Sequence, residues 1–178
     1  MDKANPAGIV GFWREAGPQR WFSKNDVFDA QFDVRFREAH FAAARRELDA
    51  WADRAEDGLA LLLLLDQFPR NVFRGSGHAF ATDPLALMFA GRVVDAGLDQ
   101  QVEPALRMFC YLPFQHSERP GDQERAVALL QAAGDAKWAL HHRDIIRRFG
   151  RFPHRNAALG RENTPEEQAY LDAGGFGS

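Results

Sequence analysis

The chain is poor in cysteine, with Cys110 alone, so an internal disulfide framework is excluded and a reducing compartment is expected. It has no long hydrophobic run. The longest, residues 59–65, is seven residues, far short of the about 20 that cross a bilayer. The first residues, Met-Asp-Lys-Ala-Asn-Pro, lack the basic start and apolar stretch of a signal peptide. These absences lead to the expectation of a cytoplasmic protein with no membrane contact. Tyrosine is scarce as well: two, against 15 phenylalanines and four tryptophans, so the core should be built on rings with few hydroxyl groups. Alternation of period two, the mark of half-buried strands, is missing throughout.

What is present reads as helix. At 178 residues, 46% hydrophobic and 26% charged, residues 1–178 are expected to form a single all-helical domain, large enough for a proper core. Val27, Phe28, Phe32, Phe36 and His40 recur at helical spacing up to about Ala44, behind a cap at Ser23 or Asn25. Residues 47–55 carry Leu48, Trp51 and Ala55 on one face, and Asp57-Gly58 reads as a break. From Leu59 to about Gln67 the pattern is apolar on all sides, which predicts a central, buried helix. Asp83-Pro84 reads as a cap followed by proline, with a helix to Gly97. Glu103-Pro104 opens a short one that stops near Pro113, and another runs from about Gln123 to Ala133. Thr164-Pro165-Glu166-Glu167 is a capping box that starts a last helix. The glycine-rich end, 174–178, is expected to be loose.

The charge is unevenly spread. Residues 137–161 hold seven Lys/Arg and one acid, Asp144, a formal +6 in a chain of −3, which leaves −9 elsewhere. Such a cationic island calls for an anionic partner, internal or external. Here Trp138, His142, Ile145 and Phe149 fall on one helical stripe. That places His142 in an apolar face, as a buried neutral residue, and His141 at its edge near Asp144. Gly150 is set to end the helix in a left-handed conformation, and Pro153 keeps Phe152 out of helix. Arg151, His154, Arg155 and Arg161 then project from a stiff turn.

The segment FPRN at residues 68–71 is echoed by FPHRN at 152–156, each reading as the close of a helix. An aspartate in a last helical turn opposes the macrodipole, so Asp66 should meet a cation, either Arg70 or an arginine of 151–161. The loop at 114–118, PFQHSE with Pro113, offers His116 and Glu118. Two such residues in a loop do not make a metal site, no histidine or cysteine cluster has structural spacing, and no metal or cofactor is expected. Ser117 beside a histidine is no triad, because adjacency in sequence says nothing of geometry.

LLLLLDQFPRNVFRG, the PFQHSE loop and HRDIIRRFGRFPHRNAALGR together resemble the bacterial domain-of-unknown-function 924 family, over nearly the full length. The resemblance implies an all-α fold of stacked antiparallel helical hairpins in the right-handed, tetratricopeptide-like arrangement. It implies no biochemical activity, and no catalytic residues carry over.

Two functional readings of different class follow. In one, the chain is a non-enzymatic interaction module with a protein partner, its arginine-rich turns serving as staples; that reading rests on analogy of fold. In the other, it is a small enzyme or binding protein for an anionic phosphate, nucleotide or carboxylate. Arg70, Arg151, Arg155 and Arg161 would then bind together with His154, His116, Asp66 and Glu118, with His154 or His141 as acid/base, oriented by Asp66 or Glu118. RNA binding has only the basic, aromatic content of 137–161 behind it, and the overall negative charge argues against it. Arginines that converge on one open pocket would favour the ligand site; arginines individually tied to internal acids and helix ends would favour the module.

Overall fold

The computed structural model describes residues 5–175. It is all-helical, with no strand among the described residues. The chain divides into two compact units: Met1–Arg74 with His78–Pro113, and Phe114–Ser178 with Gly75–Gly77. Among the described residues no helix is long and apolar enough to cross a membrane.

The first unit holds α1 (Pro6–Ala16), α2 (Pro18–Trp21), α3 (Asp26–Ala44), α4 (Ala55–Leu62), α5 (Phe68–Val72) and α6 (Asp83–Asp95). Asn25 rather than Ser23 caps α3, its side chain accepting from the Phe28 amide at 3.0 Å. The ring-built core forms where α1 meets α3. Phe12 stacks on Phe28 at 4.9 Å, and Trp13 packs on Phe32 and, edge-on, on Phe109, each at 5.4 Å. Residues 47–55 do not form one helix: Asp49–Asp53 is a 3₁₀ turn, and Ala55 already belongs to α4. Gly58 lies inside α4 and does not break it. A Cβ there would come within 2.9 Å of Val93 Cγ2, so the bare backbone is what lets α6 pack so closely.

The central buried helix has an irregularity that periodicity does not reveal. After α4, residues Leu63–Gln67 form a π-turn, in which the Phe68 amide reaches back five residues to the Leu63 carbonyl. The FPRN segment is therefore itself helical, as α5, and the helix closes at Val72 rather than at Gln67. Pro69 has no N–H for the Leu65 carbonyl four residues before it, and in a regular helix its ring would collide with that oxygen. The wider turn relieves the collision, and side chains take up the carbonyls. His40 Nδ1 donates to Leu64 O at 2.9 Å, Thr82 Oγ1 to Leu65 O at 2.5 Å, and Arg70 Nη1 to Asp66 O at 2.8 Å. Thr82, not Asp83, is the residue ahead of α6, and its hydroxyl is spent on Leu65 rather than on capping.

The second unit holds α8 (Pro120–Ala132), α9 (Lys137–Phe149) and α10 (Pro165–Asp172); α7 (Leu112–Gln115) straddles the boundary in sequence, and Pro113 lies within it rather than halting a helix. A short turn joins α8 and α9, which pack together as a helical hairpin. Asp135 accepts from the Lys137 amide at 2.9 Å at the start of α9, and Gly150 ends it at φ 72°. Ile145, Ile146 and Phe152 form the local core, with Phe149 and Tyr170 against it. Trp138 departs from the predicted stripe: it is 59% exposed. Gln123 Nε2 donates to the carbonyls of Gln115 and Ser117, both at 2.6 Å, which fixes the PFQHSE loop to α8. Gly174 and Gly175 still close the end of α10 with amides to Leu171 O and Tyr170 O; the rest of the loose end expected at 174–178 lies outside the described residues.

Replacing Thr82 by valine keeps the shape but strands the Leu65 carbonyl in the core. Thr82→Val is expected to lower unfolding free energy by about 1–3 kcal/mol in a urea titration, and Thr82→Ser to recover most of it. A loss below about 0.5 kcal/mol would show that Leu65 O has another partner.

Candidate functional site

The cationic turn of the second unit is built outward from the end of α9. Phe152 adopts extended backbone ahead of Pro153, and Pro153–Arg155 forms a single 3₁₀ turn. Arg161 holds this excursion together. Its Nη1 and Nη2 donate to Glu118 at 2.8 and 3.0 Å, its Nη2 also to Phe152 O at 3.2 Å, and its Nε to Asn156 Oδ1 at 2.8 Å. Glu118 accepts in addition from the Phe152 amide at 2.8 Å. Burial pushes the Glu118 carboxyl up, but the Arg161 and Phe152 hydrogen bonds outweigh it and hold the group below its ordinary range.

Arg151 is taken up in the same way. It makes a fork to Glu167 at 2.6 and 2.8 Å and a third bond to Glu162 O at 2.8 Å. Glu167 also accepts from the Thr164 amide, completing the capping box. Arg151 first, and then the Thr164 amide, bring its pKa down to about 2. Arg155 is buried, with its guanidinium 4.4 Å from the Phe152 ring centroid, and its charge adds to the field on Glu118. An open depression between Arg148, Arg151, Thr164 and Glu166 lies beside this turn. Its two arginines already face carboxylates, Arg148 reaching Glu166 at 2.9 Å. The cationic island is thus answered from within: over residues 114–178 nine basic residues meet nine acidic ones.

Arg70 plays the same part in the first unit. It sits between two carboxylates, 3.1 Å from Asp66 and 2.8 Å from Asp83. Asp66 is buried and accepts from Gln67 Nε2 at 2.6 Å. Burial alone would lower the Arg70 pKa, but the two acids raise it, so the charge is secure. Asp66 lies mid-helix, since α5 continues beyond it; desolvation rather than a terminal dipole is what demands the cation.

The histidines divide by unit. His142 is buried on α9, with Nδ1 donating to Trp138 O at 2.7 Å; burial, then His116, bring its pKa down to about 3. His116 stands 6.1 Å from it ring to ring, while His141 is exposed against the edge of Trp138. His154 is half-buried and packs on Phe152 at 5.6 Å. In the first unit His40 Nε2 faces His78 Nε2 at 3.1 Å. Because His40 donates from Nδ1, its Nε2 accepts and His78 donates. Among the described residues no group of three or more His, Cys, Asp or Glu is placed to hold a metal ion.

The family model described as a bacterial protein of unknown function (DUF924) matches residues 9–175. The chain belongs to this family. It is also similar to the solved structure of a protein of unknown function, ATU0120, from Agrobacterium tumefaciens. The two are 57% identical with a TM-score of 0.91, over 94% of this chain and 97% of that one. No curated protein matches.

In this DUF924 chain, sequence reasoning passed over Thr82, Asp83 and Glu167 as partners, reading Asp83 and Glu167 only as caps. It also missed the His40–His78 pair. Contacts from 13 to 43 residues apart, such as Asp83 to Arg70 and Glu118 to Arg161, leave no local signal. The capping box was the one clue that Glu167 is held in place.

Removing the cation between two acids should be costly. Arg70→Leu is expected to lose about 3–5 kcal/mol of unfolding free energy, because Asp66 stays buried without its charge partner. Arg70→Lys should recover only part, since an ammonium cannot fork to both carboxylates. A loss under about 1 kcal/mol in chemical denaturation would place Asp66 in solvent.

His142 gives a pH prediction. Unfolded, it takes a proton near its ordinary 6.5; folded, it stays neutral down to about 3. The unfolded state binds the extra proton between those values, so stability is complete above about pH 6.5 and falls as pH drops below it. Buried His40, its pKa also lowered by desolvation, acts in the same direction. His142→Phe should flatten the fall between about pH 6 and 5 by up to about 1.4 kcal/mol per pH unit. An unchanged slope would mean that His142 is protonated in the fold.

Proposed function

We propose that this protein is a non-enzymatic interaction module with a protein partner, built of helical hairpins in the right-handed, tetratricopeptide-like arrangement. The α8–α9 hairpin supports that arrangement, and Cys110, buried and raised to about 12 by desolvation, suits a cytoplasmic setting. One observation carries the reading. The guanidinium groups of Arg70, Arg151 and Arg161 are each held by carboxylates and by main-chain carbonyls of their own unit. These arginines fasten turns rather than wait for a ligand. The neutral balance of residues 114–178 also argues against a nucleic-acid surface.

The second reading, a site for a phosphate, nucleotide or carboxylate, has the open depression at Arg148 and Arg151 in its favour. An anion there must displace Glu166 or Glu167, and Glu167 is doubly bound. A melting screen with phosphate, sulfate and nucleotides at several millimolar is therefore expected to move nothing. Any specific binder at 100 times its dissociation constant would add about 2.7 kcal/mol and shift the transition. A shift abolished by Arg151→Ala, with helix content intact, would overturn the module reading and establish an anion site.

A further inference from the structure

We propose that His40 and His78 form an acid-operated latch, which fastens the turn at Gly77–Phe80 to α3 and releases it when both rings carry charge. His40 is buried on α3, and its ring stacks on Phe68 at 4.8 Å. Its Nδ1 donates to Leu64 O, so a main-chain group of the π-turn sets which nitrogen holds the hydrogen. The Nε2 lone pair that is left meets His78 Nε2 at 3.1 Å, which donates to it. His78 comes from the 3₁₀ turn Gly77–Phe80, and this bond joins that turn to α3. Its ring lies against Phe73 at 4.0 Å and meets Phe41 edge-on at 5.6 Å, so apolar rings wall the pair.

Two neutral imidazoles fit this arrangement. So does the pair with one extra proton, because an imidazolium donates to a neutral ring. Two imidazoliums do not. Each then carries hydrogen on the facing nitrogen, which sets two donors and two like charges at 3.1 Å with no acceptor between them. The second proton therefore reaches His40 Nε2 only as the His78 ring swings away and water takes its place. Besides His78, the charge that reaches His40 is Arg37, on α3 itself, and Asp33 offsets it at 2.6 Å. The π-turn and α5 present the Leu64 carbonyl and the Phe68 ring. Burial pushes the His40 pKa down; the Leu64 bond opposes this, and the charges of His78 and Arg37 add to it. The open form, with the ordinary value near about 6.5, binds a proton that the closed form refuses. The latch is thus complete above about pH 6.5 and is lost as pH falls below it, with opening favoured about tenfold more per pH unit.

Hydrogen exchange on the full chain, read by mass spectrometry below about pH 6.5 and corrected for the intrinsic rate, tests this. Peptides over residues 77–82, where the Ala81 amide donates to His78 O, should lose protection about tenfold per pH unit. They should exchange faster than α1 and, unlike it, stay indifferent to low urea, the mark of local opening. His78→Gln supplies the specific arm. Its carboxamide donates to neutral His40 or, turned over, accepts from charged His40. Protection at neutral pH should then hold and the local response to acid should vanish. Imidazole nitrogen NMR on the wild type serves if that variant loses its fold: both rings should become imidazolium in step with the loss of protection. Exchange at 77–82 that follows α1 in urea, an acid response kept in His78→Gln, or a doubly charged pair with the turn still protected would each overturn the proposal.

Discussion

The arginine that meets carboxylates inside its own unit is the interaction on which the rest of this structure depends. A guanidinium that is partly buried loses hydration, and only a well-placed anion with further acceptors makes up for the loss. Arg70, Arg151 and Arg161 each have both. Arg70 joins the π-turn to the start of α6 through Asp66 and Asp83. Arg161 ties Glu118, in the loop before α8, to the turn after α9, and Arg151 ties that turn to α10. The irregular segments are ordered through these links, since the turn after α9 contributes little apolar burial beyond Phe152 and Pro153.

The π-turn shows the same logic applied to main-chain groups. Pro69 in mid-helix forces a choice between a broken helix and a wider turn with displaced carbonyls. Here the wider turn is kept, and His40, Thr82 and Arg70 donate to three successive carbonyls. A side chain from α3, one from the start of α6 and one from α5 thereby converge on a single turn. The polar groups buried in the first unit are the means by which a proline is held inside its central helix.

Much of this was legible in the sequence, and the residues show where legibility stopped. The all-helical class followed from periodicity, the buried helix around Leu59–Leu65 from its lack of a polar face, and the ends of α3, α9 and α10 from Asn25, Gly150 and Thr164. Family membership followed from the DQFPRN and GRFPHRN segments. The FPRN exit lies about one turn later than expected, at Val72, because proline normally ends a helix and the donors that permit otherwise lie 17 and 24 residues away. The cationic island does meet internal anions, but the sequence could not say which. Its window stopped at Arg161 and began at Lys137, so Glu118, Glu124, Glu166 and Glu167 were counted elsewhere although they face its arginines. Trp138 shows the converse, an apolar residue on the right stripe that the fold leaves exposed because α9 begins only one residue before it.

The account turns on whether these arginines are internal fastenings, and Glu118 with Arg161 offers the cleanest pair, both partly buried and bonded twice to each other. A double-mutant cycle with Glu118→Gln and Arg161→Met, read as unfolding free energy in urea, isolates their interaction from the other bonds each makes. A coupling of about 1–3 kcal/mol is predicted for a forked, shielded pair. A coupling within about 0.3 kcal/mol of zero would mean that Arg161 is not held by Glu118 and would contradict the account.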